Sequence, residues 1–438
     1  MSHYLGIDIG TTRTKVGCVD IEGGGLVALR SARTPVDDDP MGGSRDAAAL
    51  MAVVWDLVEQ VWDDPAVDRG RVAGISVASM GEEVVLLDAA GGVTGPVLAW
   101  HGTHGRDAKA ALPPGPWDEL DDIFSVFKLA WLASELPDQL AAAVTFTGIA
   151  DFVAHSLTGG GVDNLFLNLS HSSRTGLLDL DVMGLRDDVL PALGLGHLRL
   201  PRLVPSGSVV GTTGGGGRLP AGITVVAGGH DHWCGAYGAG VRAPGDVYIS
   251  AGTSEAQVML VDELPEHIPA GIDVGAFVSG GLRYLHRATP SGRFYQSWHD
   301  MLYRETDDDT MWAEVGAVVD HAVPAAVLGS SLQLAPLPVD ADRAQVMASL
   351  LAGLAVAAES TTVRLEQIAG RPASDVVVAG VPAGQEVWRG LRQAATSRPL
   401  QFVSEPEATV VGVALLAQLG VEGVSAALIA PTEWRTTP

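Results

Sequence analysis

Gly6-Ile7-Asp8-Ile9-Gly10-Thr11-Thr12-Arg13-Thr14-Lys15 is the stretch from which the fold is read. The apolar run Tyr4–Ile9 reads as a strand, Gly10–Thr14 as a tight turn and Lys15–Asp20 as a returning strand. The strand delivers a carboxylate, Asp8, to the turn. Glycine lets the backbone approach a ligand closely, and successive N–H groups with the hydroxyls of Thr11, Thr12 and Thr14 can cradle phosphate. Asp8 would repel phosphate directly, so its useful role is through Mg²⁺, with water between. Lys15 is placed to approach a terminal phosphate. A plain β-hairpin with a glycine turn is the alternative for the same residues.

Outward from this stretch, a second turn at Glu22–Gly25 leads to a strand, Leu26–Ser31, and a helix, Ala47–Trp62, with apolar residues at helical spacing. Val72–Val77 and Val84–Leu87 read as buried strands, so the first half is a mixed sheet with helical cover. Helices are expected at Lys128–Leu136 and Ile149–Leu157, and a loop at Gly214–Gly217. Thr224–Ala227 is a short strand that ends in Gly228-Gly229-His230-Asp231-His232. The pattern then restarts: a strand Asp246–Ser250, a turn Ala251-Gly252-Thr253-Ser254, and a strand Glu255–Leu260. The echo predicts an internal duplication with a boundary near residue 243, giving domains 1–243 and 244–438. A long helix Ala344–Ile368, a strand Asp375–Ala379, and helices Glu386–Thr396 and Ala408–Leu419 complete the chain.

Asp231 follows two glycines at a strand end and is flanked by imidazoles. A general base for a hydroxyl nucleophile needs a carboxylate on a rigid element beside an open backbone. A helix expected from about Trp233 makes an N-cap the competing role. His230-Asp231-His232 also suggests a metal site, but one tripeptide does not present three ligands tetrahedrally. The turn Ser250–Ser254 suits a second set of phosphate contacts, with a structural turn as the alternative.

The 438 residues carry 27 Lys+Arg against 52 Asp+Glu, a net charge of −25, with 47% apolar and 18% charged residues. The length favours two domains of roughly 200 residues. The acidic balance argues against nucleic acid and anionic membrane surfaces as partners. Two cysteines, Cys18 and Cys234, imply no secreted framework. With no leader-like segment and no long apolar run, a cytoplasmic protein is expected. Trp55, Trp62, Trp298 and Trp388 lie in helix-like runs and read as core.

The ordered set of segments resembles the FGGY family of carbohydrate kinases. Gly6–Lys15 is similar to the N-terminal phosphate turn, and Gly74-Ile75-Ser76 through Asp88 with Leu98-Ala99-Trp100 to the substrate-side strands. Lys128-Leu129-Ala130-Trp131-Leu132 resembles the family's Lys-Leu-x-Trp-Leu helix, and Ser172-Ser173-Arg174-Thr175 its Ala-Ser-x-Thr segment. Gly228–Gly235 resembles the stretch that carries the catalytic Asp, and Ser404-Glu405-Pro406-Glu407-Ala408 with Gly412 the start of the C-terminal helix.

The resemblance implies an α/β fold of two ribonuclease-H-like, actin/hexokinase-type domains with sugar and nucleotide in a central cleft. It implies ATP and Mg²⁺, a small sugar or polyol substrate, and Asp231 as base and metal neighbour. It places Glu82, His101 and His232 on the substrate, and Gly252 and Thr253 near the nucleotide phosphates. A homodimer is the assembly allowed for. The adenosine motif, usually a Gly-Gly-Gly-Ala run, aligns with Gly380-Val381-Pro382-Ala383-Gly384-Gln385. Val381 and Pro382 change that contact; Gly292 or Gln385 is the segment expected to compensate. The family's Gly-Glu-Arg-x-Pro loop, expected between Leu334 and Ala348, is absent, and Trp-x-Asp-x-Arg becomes Trp100-His101-Gly102-Thr103-His104-Gly105-Arg106. A catalytically silent sugar or nucleotide sensor, and an ATPase-type switch acting on a protein, are the rival functions; retained Asp8 and Asp231 oppose the first, and Glu82, His101 and His232 the second.

Overall fold

In the computed structural model, which describes residues 2–23, 25–37, 41–115, 117–215, 219–252, 254–319, 325, 327–328, 332–333, 340–403, 407–423 and 435–436, the opening strand β1 (His3–Ile9) is buried along its whole length. It sits inside a six-stranded sheet with β2 (Arg13–Asp20), β3 (Gly25–Arg33), β4 (Val72–Ser79), β5 (Val209–Thr212) and β6 (Thr224–His230), in the order β5-β6-β4-β1-β2-β3. β1 pairs antiparallel with β2 and parallel with β4, which in turn runs parallel to β6. Strands covered on both faces must be apolar throughout. Leu5, Ile7, Ile9, Ile75, Val77, Val225 and Ala227 accordingly form one core.

Helix α1 (Ala47–Trp62) covers one face. Asp46 caps it by accepting from the amides of Ala48 and Ala49, and Leu50, Val54, Leu57, Val58 and Val61 enter the core at helical spacing. Helix α2 (Ile149–Thr158) ends on the left-handed Gly159. Val84–Leu87 pairs antiparallel with Thr145–Gly148; its Val85 and Leu87 join the first core, and its Val84 and Leu86 a separate apolar cluster that includes Phe127, Leu129 and Leu132.

Helix α3 (Asp231–Gly238) starts immediately where β6 ends, two residues earlier than the sequence predicts. A second unit holds β7 (Val247–Ala251), β8 (Glu255–Val261), β9 (Asp273–Ala276), β10 (Arg283–Thr289), β11 (Val376–Ala379), β12 (Leu400–Val403) and β13 (Arg435–Thr436), ordered β9-β10-β8-β7-β11-β12-β13. β7 is antiparallel to β8 and parallel to β11, and β11 is parallel to β12. This repeats the order seen around β1: an antiparallel meander on one side, two parallel strands on the other. Helix α4 (Arg343–Ala369) is long and apolar enough to cross a membrane. It is a core helix here, burying Met347, Leu350, Leu351, Leu354 and Leu365. Helix α5 (Glu386–Ala394) adds Trp388.

Helix α6 (Ala408–Glu422), which a single cut near residue 243 assigns to the second domain, packs on β1, β4 and β6 of the first. It crosses α3 where both helices are glycine. A Cβ on Gly412 would lie 1.8 Å from the Cys234 carbonyl oxygen, and one on Gly238 would lie 2.0 Å from that of Ala408. Only glycine permits this approach.

Candidate active site

Three adjacent strands bring the chemistry to one sheet edge. Asp8 stands opposite Ala78 on β4, and Ala78 opposite Gly229 on β6, so Asp8 and Asp231 reach the same end of the sheet. The close approach of β6 to β4 requires Gly228, whose Cβ would lie 1.9 Å from the Val77 carbonyl oxygen. Asp8 is 8% exposed. Burial, then the charge of Asp231, push its carboxyl up to about 7, with Lys15 opposing and Glu407 adding to the rise.

Asp231 keeps 19% of its side chain exposed. Its Oδ1 accepts from the His232 amide at 2.7 Å and lies 2.8 Å from His230 Nδ1, which the same amide also approaches at 3.4 Å. Burial disfavours its charge, but His232 and the bonds from His230 and the His232 amide outweigh this and hold the carboxyl well below the usual range. Both donors sit on one oxygen. Among the described residues, no protein hydrogen bond falls on Oδ2. A carboxylate that stays ionised, with one free oxygen at a sheet edge, can accept a proton.

The pair Asp8–Asp231 fits a divalent cation. The charge of Asp231 reaches the Asp8 carboxyl and disfavours its ionisation, a conflict that a cation relieves, and hard oxygens suit Mg²⁺. His230, Asp231 and His232 also offer ligand atoms within 4.8 Å of one another. His230 Nδ1 and Asp231 Oδ1 are already bonded together, which leaves no tetrahedral set for zinc.

Glu82 has a left-handed backbone, φ 62°, and bonds Arg174 Nε at 2.6 Å, both side chains being buried. Burial opposes its charge, yet Arg174, His230 and Lys128 hold it below the ordinary value. Arg174 also lies over Phe124, 4.7 Å from the ring centre. The Arg174–Glu82 ion pair is therefore an internal one. Glu83 makes another buried pair, with Arg45 at 2.8 Å, and accepts from the Trp100 amide at 3.0 Å. Trp100 Nε1 donates to Thr11 Oγ1 at 2.9 Å, tying the substrate-side segment to the phosphate turn. His101 is exposed with its ring against Trp100. His104 is buried edge-on against Trp131 at 4.7 Å.

Of the turn residues, Thr12 is exposed and Thr11 half-buried under Trp100, whereas Thr14 is fully buried and bonds Thr34 Oγ1 at 3.0 Å. Strand alternation decides this: β2 begins at Arg13, so Thr14 points into the sheet. Thr14 is withdrawn as a phosphate contact. Lys15 Nζ bonds Glu407 at 2.6 Å. Thr253 lies outside the described residues. Gly252 and Gly292 line one cavity of the second unit, together with Glu255, Tyr295, Trp312, Trp388 and Arg392. Trp388 is thus core on one side and cavity wall on the other. Gly380 follows β11, Ala383 is buried, and Gln385 precedes α5. Sequence reasoning missed the Glu255–Arg392 pair beneath this cavity, where both side chains are about 5% exposed or less. No motif marks it, because the residues lie far apart in the chain.

Asp151, on α2, is a buried carboxyl whose Oδ2 accepts only one described bond, from the Asn168 amide at 2.7 Å. Burial pushes it up to about 8. The folded state therefore holds this proton more tightly than the unfolded state. Stability from this group is greatest below the ordinary value near 3.8 and declines as pH rises toward 8. Asp151→Asn keeps the acceptor and removes the titration, so its melting temperature should fall less between pH 5 and 8.5 than that of the natural protein. Equal slopes would mean that Asp151 is already ionised when folded.

A profile of the FGGY family of carbohydrate kinases, N-terminal domain, matches residues 3–112 and 118–238. An L-fuculokinase of Salmonella typhi is 23% identical over 449 residues, covering 95% of this chain and 92% of its own length. An autoinducer-2 kinase of Yersinia enterocolitica is 24% identical, covering 96% and 86%. The crystal structure of xylulose kinase from Rhodospirillum rubrum superposes with a TM-score of 0.84 at 21% identity, covering 98% of this chain and 92% of that one. The chain thus shares the mixed α/β, two-unit fold of that structure.

Proposed function

Because this chain belongs to the FGGY family of carbohydrate kinases, we propose that it transfers the γ-phosphoryl group of ATP directly to a hydroxyl of a small sugar, ketose or polyol in the cytoplasm, with Asp231 as general base. One observation carries this: the Asp231 carboxylate is held ionised by two donors on Oδ1, with Oδ2 left for a substrate. The substrate hydroxyl oxygen attacks the γ-phosphorus, its proton passes to Oδ2, and ADP departs. Asp8 and Asp231 are the residues that would hold Mg²⁺, which supplies charge neutralisation for the phosphoryl group. Catalysis is otherwise positioning. Glu82, His232 and His101 are the proposed substrate-side groups, supported by the charge of His230 acting on Glu82 and the bond of the His232 amide to the base. Thr11, Thr12 and Lys15 are the phosphate-side groups of the first unit. Lys15 would exchange Glu407 for phosphate. Gly252 and Thr253 are the phosphate-side groups of the second, and Gly292, Gly380, Ala383 and Gln385 its adenosine-side groups.

A screen of D-xylulose, L-fuculose, glycerol, ribitol and myo-inositol as acceptors, with ADP release measured with and without each, tests the reading. Acceptor-dependent ADP release is expected. ATP turnover that no acceptor stimulates would favour the protein-switch alternative.

Val381 and Pro382 stand where the family offers glycine to adenosine. Proline lacks an N–H donor, and a Cβ holds backbone away from a ligand. Base selectivity should relax, with ATP and GTP efficiencies within about tenfold, or ~1.4 kcal/mol. Val381→Gly with Pro382→Gly should tighten a non-hydrolysable ATP analogue in calorimetric titration. Strongly adenine-selective binding by the natural protein would show that Gly292 or Gln385 reads the base instead.

A further inference from the structure

The base does not stand alone. His230, which immediately precedes it, is only 6% exposed, and its ring is confined on several sides. It stacks on His171 at 5.8 Å with 29° between planes, and on Trp233 at 5.0 Å with 30°. A third wall is the backbone of Gly81, where a Cβ would lie 2.7 Å from His230 Cδ2 and 2.8 Å from Nε2. The His230 amide donates to Ser170 Oγ at 3.0 Å, and Ser170 Oγ donates to Asn168 Oδ1 at 2.6 Å. Asn168 is fully buried and donates through Nδ2 to the Gly228 carbonyl at 3.0 Å. One side chain therefore clamps the strand end at residues 228 and 230, immediately before the base.

We infer that His230 is a positioning residue for Asp231: its immobilised imidazole donates Nδ1–H to Oδ1 and thereby fixes the carboxylate rotamer, so that Oδ2 is presented to the substrate hydroxyl. The inference rests on Asp231 being the base. A carboxylate left to rotate would spend part of its time with neither oxygen aimed at the reacting proton. Positioned proton transfer is worth on the order of 10²–10⁴ in rate. Loss of aim forfeits a fraction of that and leaves ground-state binding alone.

The other roles open to a buried histidine predict different outcomes. As a packing residue, His230 would be replaceable by any ring of similar shape. As a substrate contact, its loss would raise KM. As a positioning donor, the location of its N–H is what counts. Asparagine places a side-chain N–H near the Nδ1 position, and glutamine places one nearer Nε2.

The test uses the full chain, MgATP and the best acceptor of the five-compound panel. His230→Asn, His230→Gln, His230→Phe and Asp231→Asn are compared for kcat, KM and melting temperature. His230→Asn should retain kcat within about fivefold of the natural protein. His230→Gln and His230→Phe should lose at least tenfold in kcat, with KM for the acceptor within twofold. Should the Phe variant fail to fold, the Asn-to-Gln ratio of kcat still decides. Equal kcat for Asn and Gln, or a loss confined to KM, overturns the inference while a crippled Asp231→Asn leaves the base reading intact. Near-normal turnover by Asp231→Asn removes the base reading itself.

Discussion

Asp231→Asn is expected to lower kcat by roughly 10²-fold or more, the range for a positioned general base, while the acceptor KM moves little. The substitution is close to isosteric. The amide oxygen can still accept from the His232 amide and from His230 Nδ1, so the start of α3 keeps its shape. What disappears is the second oxygen, replaced by an NH₂ group that cannot take a proton. An N-capping or purely structural Asp predicts a different result: a lower melting temperature with kcat preserved. Steady-state kinetics and thermal melts on the same preparation separate the two, and preserved turnover would sink the assignment.

Asp8→Ala is expected to abolish Mg²⁺-dependent transfer and yet not to destabilise the metal-free protein at alkaline pH. Its carboxyl is pushed up to about 7 by burial and by Asp231, with Lys15 opposing. The sign follows from linkage. A folded-state value above the unfolded one means that stability is present below about 3.8 and is lost as pH rises through 7. Removing the carboxyl removes that loss. In EDTA at pH 8 the variant should melt no lower than the natural protein, after allowance for the small cavity. Added Mg²⁺ should raise the melting temperature of the natural protein and leave the variant unmoved. In the natural protein the same titration should weaken apparent Mg²⁺ affinity as pH falls below 7, because metal competes with the proton. A variant that still responds to Mg²⁺ would move the metal elsewhere.

Local periodicity carried most of the fold. The bounds of Ala47–Trp62 and Val84–Leu87 follow directly from apolar spacing, and both strand–turn–strand openings were legible because turn chemistry is local. What the sequence left hidden depends on register or on distant partners. Thr14 reads like Thr11 and Thr12 in the sequence because a turn motif does not say where strand alternation resumes. The Lys15–Glu407 and Glu82–Arg174 pairs join residues 392 and 92 positions apart. The left-handed backbone of Glu82 has no sequence mark, since non-glycine residues rarely adopt it. Asp231 stands out in the sequence because glycines precede it, whereas the packing of His230 beside it rests on residues distant in the chain.

The position of α6 has a consequence for biosynthesis. Val410, Val413, Ala414, Leu415, Leu416 and Ala417 of this helix, each at most 1% exposed, fill the surface above β1, β4 and β6. The ribosome reaches them only after all of the second unit but its final strand, β13, has been made. Until then the nascent first sheet carries an uncovered apolar face. Domains usually fold in the order of their synthesis; here the first must wait for the last helix. A fragment stopped near residue 243 should accordingly aggregate or bind chaperones, and a peptide of residues 407–423 supplied in trans is the natural means of rescuing it.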